Sequence, residues 1–241
     1  MILKLPHYAG HRERARDKFL ESADTGSLPD YEFLELILMR AIPRRDVKPL
    51  AKNLLDRFGT LTGVLTAPPN ELMQFPYVKG AAVSLFKIIV EANRRLLESN
   101  LRDAPVLGLW DNMVDYCCLC VQGDTVENVM VLYLDTQYRL IRKEIPQKGT
   151  TNRVALYPRE VLKRALMLGA HAVVVVHNHP SGFVQPSPAD FEMTAELYRT
   201  LAVAEINLVD HLIIGPGRKV YSFGAHGRLT GGYVPDRKGK I

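Results

Sequence analysis

The sequence predicts an α/β protein: a mixed β-sheet flanked by helices, preceded by a small all-helical N-terminal domain. Two observations carry this. Up to about residue 100, apolar side chains recur at helical spacing between proline and glycine stops, whereas beyond it short β-branched runs alternate with amphipathic segments. That alternation is the pattern of a sheet covered by helices. A chain of 241 residues has room for two domains of roughly 100–200 residues each, here expected at 1–103 and 104–230, with 231–241 a disordered polar tail.

Taking the elements in order, Asp30 to Arg40 places Phe33, Leu34, Ile37 and Leu38 on one helical face, and Pro43 ends the run. Val47 to Phe58 repeats the pattern, with Gly59 as its stop. Asn70 is placed to cap a short helix, and Gly80 to Glu98 forms a longer one through Val83, Phe86, Ile89, Val90 and Leu97. Periodicity lapses from Asn100 to Gly108, which reads as a linker. Strands are then expected over Val129–Leu134 and Ile141–Ile145 around a turn at Asp135-Thr136-Gln137. Pro158 opens a helix that Gly169 closes. Ala172 to Val176 is a continuously apolar, β-branched run suited to a central strand. A helix from Pro188 to about Val203 and two strands, His211–Ile214 and Lys219–Phe223, complete the chain.

Composition narrows the class. No apolar run reaches the roughly 18 residues of a membrane helix, and Met1 to Pro6 lacks the apolar core of a secretory signal. A soluble, cytoplasmic protein is expected. Cys117, Cys118 and Cys120 crowd one segment, too close for a disulfide framework and without the second ligand pair of a structural zinc site. They read as small hydrophobes buried in one element. The net charge of +5 is mild, and Arg12 to Lys18 interleaves both signs, as on a solvated helix face.

Chemistry concentrates in the segment from His177 to Asp190, HNHPSGFVQPSPAD. His177 and His179 leave the buried strand two residues apart, and on extended backbone such residues point to the same side. Ser187-Pro188-Ala189-Asp190 is a helix start, with a serine cap, proline at the first position and an acid at the third. Two imidazoles and a carboxylate make a three-ligand catalytic zinc site with the fourth position open to water. Such an ion lowers the pKa of water to about 7, and a separate carboxylate must then handle the proton. His-x-His also occurs in ordinary strands, and Ser187 to Asp190 also reads as a plain helix start; taken together, they give the expectation of one zinc per chain on His177, His179 and Asp190. The contiguous letters His-Asn-His do not signal a nuclease, and the paired-cysteine signature of zinc deaminases is missing.

The spacing His-x-His-x₇-Ser-x-x-Asp resembles the JAMM (MPN+) metalloprotease motif. His177 to Gly182, Tyr157-Pro158-Arg159-Glu160 and Asp210 to Gly215 resemble the bacterial RadC family. So do Gly10 to Arg14 and Ala41 to Val47. The resemblance covers nearly the whole chain. It implies a JAMM/MPN, cytidine-deaminase-like sheet in a bacterial cytoplasmic protein. It also implies a peptide- or isopeptide-cleaving hydrolase acting on an unknown protein or peptide. By the same resemblance Glu127, just ahead of Val129 to Leu134, is the catalytic base, and Ser187 steadies the oxyanion.

The family's N-terminal region is a helix-hairpin-helix-like module whose two hairpin glycines approach DNA phosphates. Here those positions hold Tyr77 and Lys79, and larger residues disfavour close backbone approach. Weak, non-specific DNA contact is therefore the expected limit of that role. The rival readings are a repair- or recombination-associated protein whose zinc domain binds rather than cleaves, and a metal-stabilised interaction module.

Overall fold

A computed structural model describes residues 10–22, 25–121, 126–148 and 156–229. The tail expected at 231–241 lies outside the described residues. The chain divides into two compact units, Met1–Ala92 and Asn93–Ile241, and α6 contributes to both.

In the first unit, α1 (His11–Glu21), α2 (Asp30–Ala41), α3 (Lys48–Phe58), the short α4 (Leu61–Thr66) and α5 (Pro69–Leu72), and the first part of α6 (Gly80–Asp103) enclose an apolar core. Leu34, Leu38, Leu54, Val64, Leu72 and Phe86 are its innermost side chains. Gly59 ends α3 at φ +80°, and the Thr60 hydroxyl caps α4 by accepting from the Gly63 N–H. Asn70 lies inside α5 rather than capping it, because Pro68 and Pro69 start that helix. The linker expected at 100–108 is a loop only after Asp103, where α6 ends, and it is not loose, since Leu101 and Val106 are fully buried. The Val106 N–H donates to the Tyr138 carbonyl at 2.8 Å.

The second unit is built on a five-stranded mixed sheet in the order β2-β1-β3-β4-β5. Its strands are β1 (Asn128–Leu134), β2 (Leu140–Lys148), β3 (Ala172–Asn178), β4 (Asn207–Gly215) and β5 (Lys219–Ser222). β3 pairs antiparallel with β1 and parallel with β4. Alternate residues of the central strands feed two cores. Met130, Leu132, Val174, Val176 and Leu212 face α7 (Trp110–Val121). Val131, Tyr133, Val173, Val175 and Ile213 face α8 (Pro158–Leu168) and α9 (Pro188–Ala202). Burial on both faces explains the unbroken valine run of β3.

α7 is the helix least visible in the sequence. Met113, Val114, Cys117 and Val121 form its buried stripe, and two of its cysteines, Cys117 and Cys118, are buried small hydrophobes as expected. No described helix is long and apolar enough to cross a membrane.

Candidate metal centre

β3 carries His177 to the rim of the sheet, in register with Val129 of β1 and Ile213 of β4. His179 follows two residues later, and the imidazoles meet edge to face with centroids 4.7 Å apart. The His179 N–H donates to the Ile214 carbonyl at 2.8 Å, which ties the departing loop to β4. Two glycines let that loop lie down. Gly182 turns at φ +81°, and a Cβ on Gly215 would come within 2.9 Å of Val184 Cγ1.

Asp190 is the third residue of α9 and is held by a reciprocal cap. The Ser187 N–H and the Ser187 hydroxyl each donate to Asp190 Oδ2 at 2.7 Å, while the Asp190 N–H donates to Ser187 Oγ at 3.3 Å. Burial by itself would raise the Asp190 pKa. The His177 imidazole beside it and the two Ser187 donors outweigh that and hold the carboxyl well below the usual carboxylate range.

Glu127 enters from the segment just before β1. Asn178 fixes this segment: its Oδ1 accepts from the Asn128 N–H at 2.6 Å and its Nδ2 donates to the Val126 carbonyl at 3.0 Å. The Glu127 side chain is 39 % exposed, against 9 % for His177 and 7 % for Asp190. Of the three it is the side chain most open to solvent.

All the residues expected at the site are brought together. Asp190 Oδ1 lies 3.1 Å from His177 Nδ1, Asp190 Oδ2 3.8 Å from His179 Nε2, and Glu127 Oε2 3.8 Å from His177 Nε2. One ligand atom each from Glu127, His177 and His179 lie within 4.8 Å of one another, a group able to hold a metal ion. Asp190 borders that group against both histidines. Ser187 is also in place, but its hydroxyl proton is directed to Asp190. Ser181 serves a turn, accepting from the Phe183 N–H at 3.4 Å.

Two features of the donor set fit a cation. Both ring nitrogens of His177 are buried without a hydrogen-bond partner, so its 3.1 Å approach to Asp190 lacks hydrogen-bond alignment. Burying such groups unbonded costs about 1–3 kcal/mol unless something binds them. His179 Nδ1 lies 2.6 Å from the Phe183 carbonyl, which can only accept. Nδ1 therefore carries the proton and Nε2 keeps a lone pair facing the group, the arrangement of a metal-ligating histidine.

Sequence reasoning leaves His211 outside this cluster, as a histidine at the start of a strand. β4 begins at Asn207, and His211 sits in its middle, almost fully buried. Its ring lies parallel to His177, with centroids 6.2 Å apart, and parallel to Phe223 at 4.6 Å. Burial, and then the neighbouring His177, push its pKa down to about 3. Its traces in the sequence are a polar residue inside an apolar strand and the family resemblance over Asp210 to Gly215. Its partner is hidden until β4 is known to lie beside β3.

A family model described as the RadC-like JAB domain matches residues 107–228, half of the chain. The match takes in every strand of the sheet together with Glu127, His177, His179 and Asp190. The chain belongs to the RadC family.

Proposed function

We propose that this chain is a zinc-dependent hydrolase of the JAMM type that cleaves a peptide or isopeptide bond. The observation that carries the reading is His177, buried between the carboxylates of Asp190 and Glu127 with neither ring nitrogen hydrogen-bonded. In this reading His177, His179 and Asp190 hold one zinc. The bound ion supplies Lewis acidity and lowers the pKa of water to about 7.

The two carboxylates divide the remaining work by environment. Asp190 is buried, capped by Ser187 and kept ionised, which suits a ligand. Glu127 is more exposed and lies against His177, which suits a base that takes a proton from water and passes it to the leaving amine. Such acid–base help contributes roughly 10²–10⁴ in rate. Ser187 is the oxyanion donor. For that purpose its hydroxyl, which here donates to Asp190 Oδ2, would have to turn from it, while its N–H would keep the same oxygen bonded. One donor of this kind is worth about 10²–10³ in rate.

Metal analysis of the purified protein beside His179→Ala tests the reading. Near-stoichiometric zinc is expected in the wild type, with strong loss in the variant. Equal zinc in both would remove the site.

A further inference from the structure

Thr194 and His211 form a buried pair one turn behind Asp190. The Thr194 hydroxyl donates to the Asp190 carbonyl at 2.5 Å, and the same oxygen lies 2.7 Å from His211 Nδ1. A threonine hydroxyl has one proton, and a carbonyl can only accept it. Thr194 Oγ1 must therefore accept from His211, which fixes the histidine as the Nδ1–H tautomer and leaves a lone pair on Nε2. That Nε2 is buried without a hydrogen-bond partner.

We propose that Thr194 and His211 are positioning residues that set the Asp190 carboxylate for metal binding. A threonine within a helix often bonds back to the carbonyl four residues earlier. Here, however, the hydroxyl is also pinned by a residue of the sheet, so the first turn of α9 is anchored to β4 at the residue that carries the carboxylate. β4 is tied at that point through the Asp210 carboxylate. The His211 N–H donates to Asp210 Oδ1 at 2.8 Å, and the Gly224 N–H donates to the same oxygen at 2.7 Å. Ser222 Oγ donates to Asp210 Oδ2. A continuous run of bonds thus leads from the β5 turn through Asp210, His211 and Thr194 to Asp190. The His211 ring, parallel to Phe223 and to His177, also backs the first histidine of the group. Ser187 fixes the Asp190 carboxylate from one side, and Thr194 with His211 fixes its backbone from the other.

This inference rests on Asp190 being a zinc ligand, and the tests keep the two apart. In the full-length protein freed of metal, ¹⁵N spectra of the histidine rings should show His211 protonated at Nδ1 and bare at Nε2. An Nε2–H tautomer would overturn the pair as drawn. Zinc affinity is then read by competition with a chromophoric chelator, alongside the melting temperature of the metal-free protein. Thr194→Val keeps the shape and removes the hydroxyl. It should weaken zinc binding about 10–100-fold, the usual cost of losing a group that orients a ligand, and Thr194→Ser should restore it. His211→Asn keeps a donor near the Nδ1 position and should bind zinc better than His211→Leu. A lowered melting temperature in Thr194→Val with unchanged zinc affinity would show a purely structural role and overturn the proposal. A wild-type protein with no zinc affinity would overturn the metal reading itself, and the positioning role with it.

Discussion

Asn178 grips the chain on both sides of Glu127, accepting from the Asn128 N–H at 2.6 Å and donating to the Val126 carbonyl at 3.0 Å. The residue between His177 and His179 therefore holds the segment that carries Glu127, just ahead of β1. Asn178 is buried, as is Asn128, so Asn178→Ala removes both bonds from a buried site. Asn178→Ala should lower stability by about 1–3 kcal/mol, since it removes two hydrogen bonds worth about 0.5–1.5 kcal/mol each. Urea unfolding of the metal-free protein measures this, and an unchanged midpoint would show that the grip carries no weight.

The proposed division between ligand and base makes a sharper demand. Glu127 belongs to the mutually close group with His177 and His179, so proximity alone does not separate the two roles. Glu127→Gln should keep its zinc and lose hydrolysis of peptide or isopeptide substrates, whereas Asp190→Ala should lose the metal. If Glu127→Gln also lost zinc, Glu127 would be a ligand and the base would have to be found elsewhere.

That His177, His179 and Asp190 come close together was legible in the sequence because their relationships are local: two residues apart on a strand, and the third position of a serine-capped helix. The sheet and its covering helices were legible for the same reason, since period and breakers are local signals. Asn178, Thr194 and His211 acquire their roles only through pairing. β3 must lie beside β1 before Asn178 can reach Asn128, and β4 must lie parallel to β3 before His211 can stack on His177. In α7 the crowded cysteines Cys117, Cys118 and Cys120 pointed to one element without fixing its type, and two of them share its buried face with Met113, Val114, Tyr116 and Val121. The lapse in periodicity after Asn100 suggested a linker. Instead, the end of α6 packs Leu101 into the core on the α7 face of the sheet.

Packing beside α7 also predicts a pH dependence. Glu98 accepts from the Tyr116 hydroxyl at 2.8 Å and pairs with Arg94 and Arg102. Burial opposes its ionisation, but Arg102 and Tyr116 outweigh it, so its pKa sits below the ordinary 4.5. A carboxyl whose folded pKa is depressed adds stability above its unfolded value, and that increment disappears as pH falls through the folded one. The metal-free wild type should therefore be more stable than Glu98→Gln at pH 7, and the gap should narrow below about pH 4.5. A gap that widens on acidification would contradict the Glu98 assignment.

The N-terminal unit bears on the weak DNA contact expected where Tyr77 and Lys79 stand in place of hairpin glycines. Tyr77 has φ +69°, a left-handed conformation that glycine adopts freely and a bulky residue seldom does. The backbone there keeps the turn a hairpin glycine would make, although a side chain fills the space. Arg45 lies over the Tyr77 ring at 4.1 Å, so a cation that could meet phosphate is occupied with the aromatic face, while Lys79 is exposed. Contact should then be weak, independent of sequence and governed by counterion release. A protein touching roughly 6–10 phosphates loses about 10³–10⁵ in affinity as salt rises from low to physiological, and fewer contacts give a shallower slope. A salt titration of the full-length chain on duplex and single-stranded DNA should show poor affinity at low salt, with a shallow slope. Tight binding that persists at physiological salt would show that the turn works despite Tyr77, and would put a repair-associated role ahead of hydrolysis.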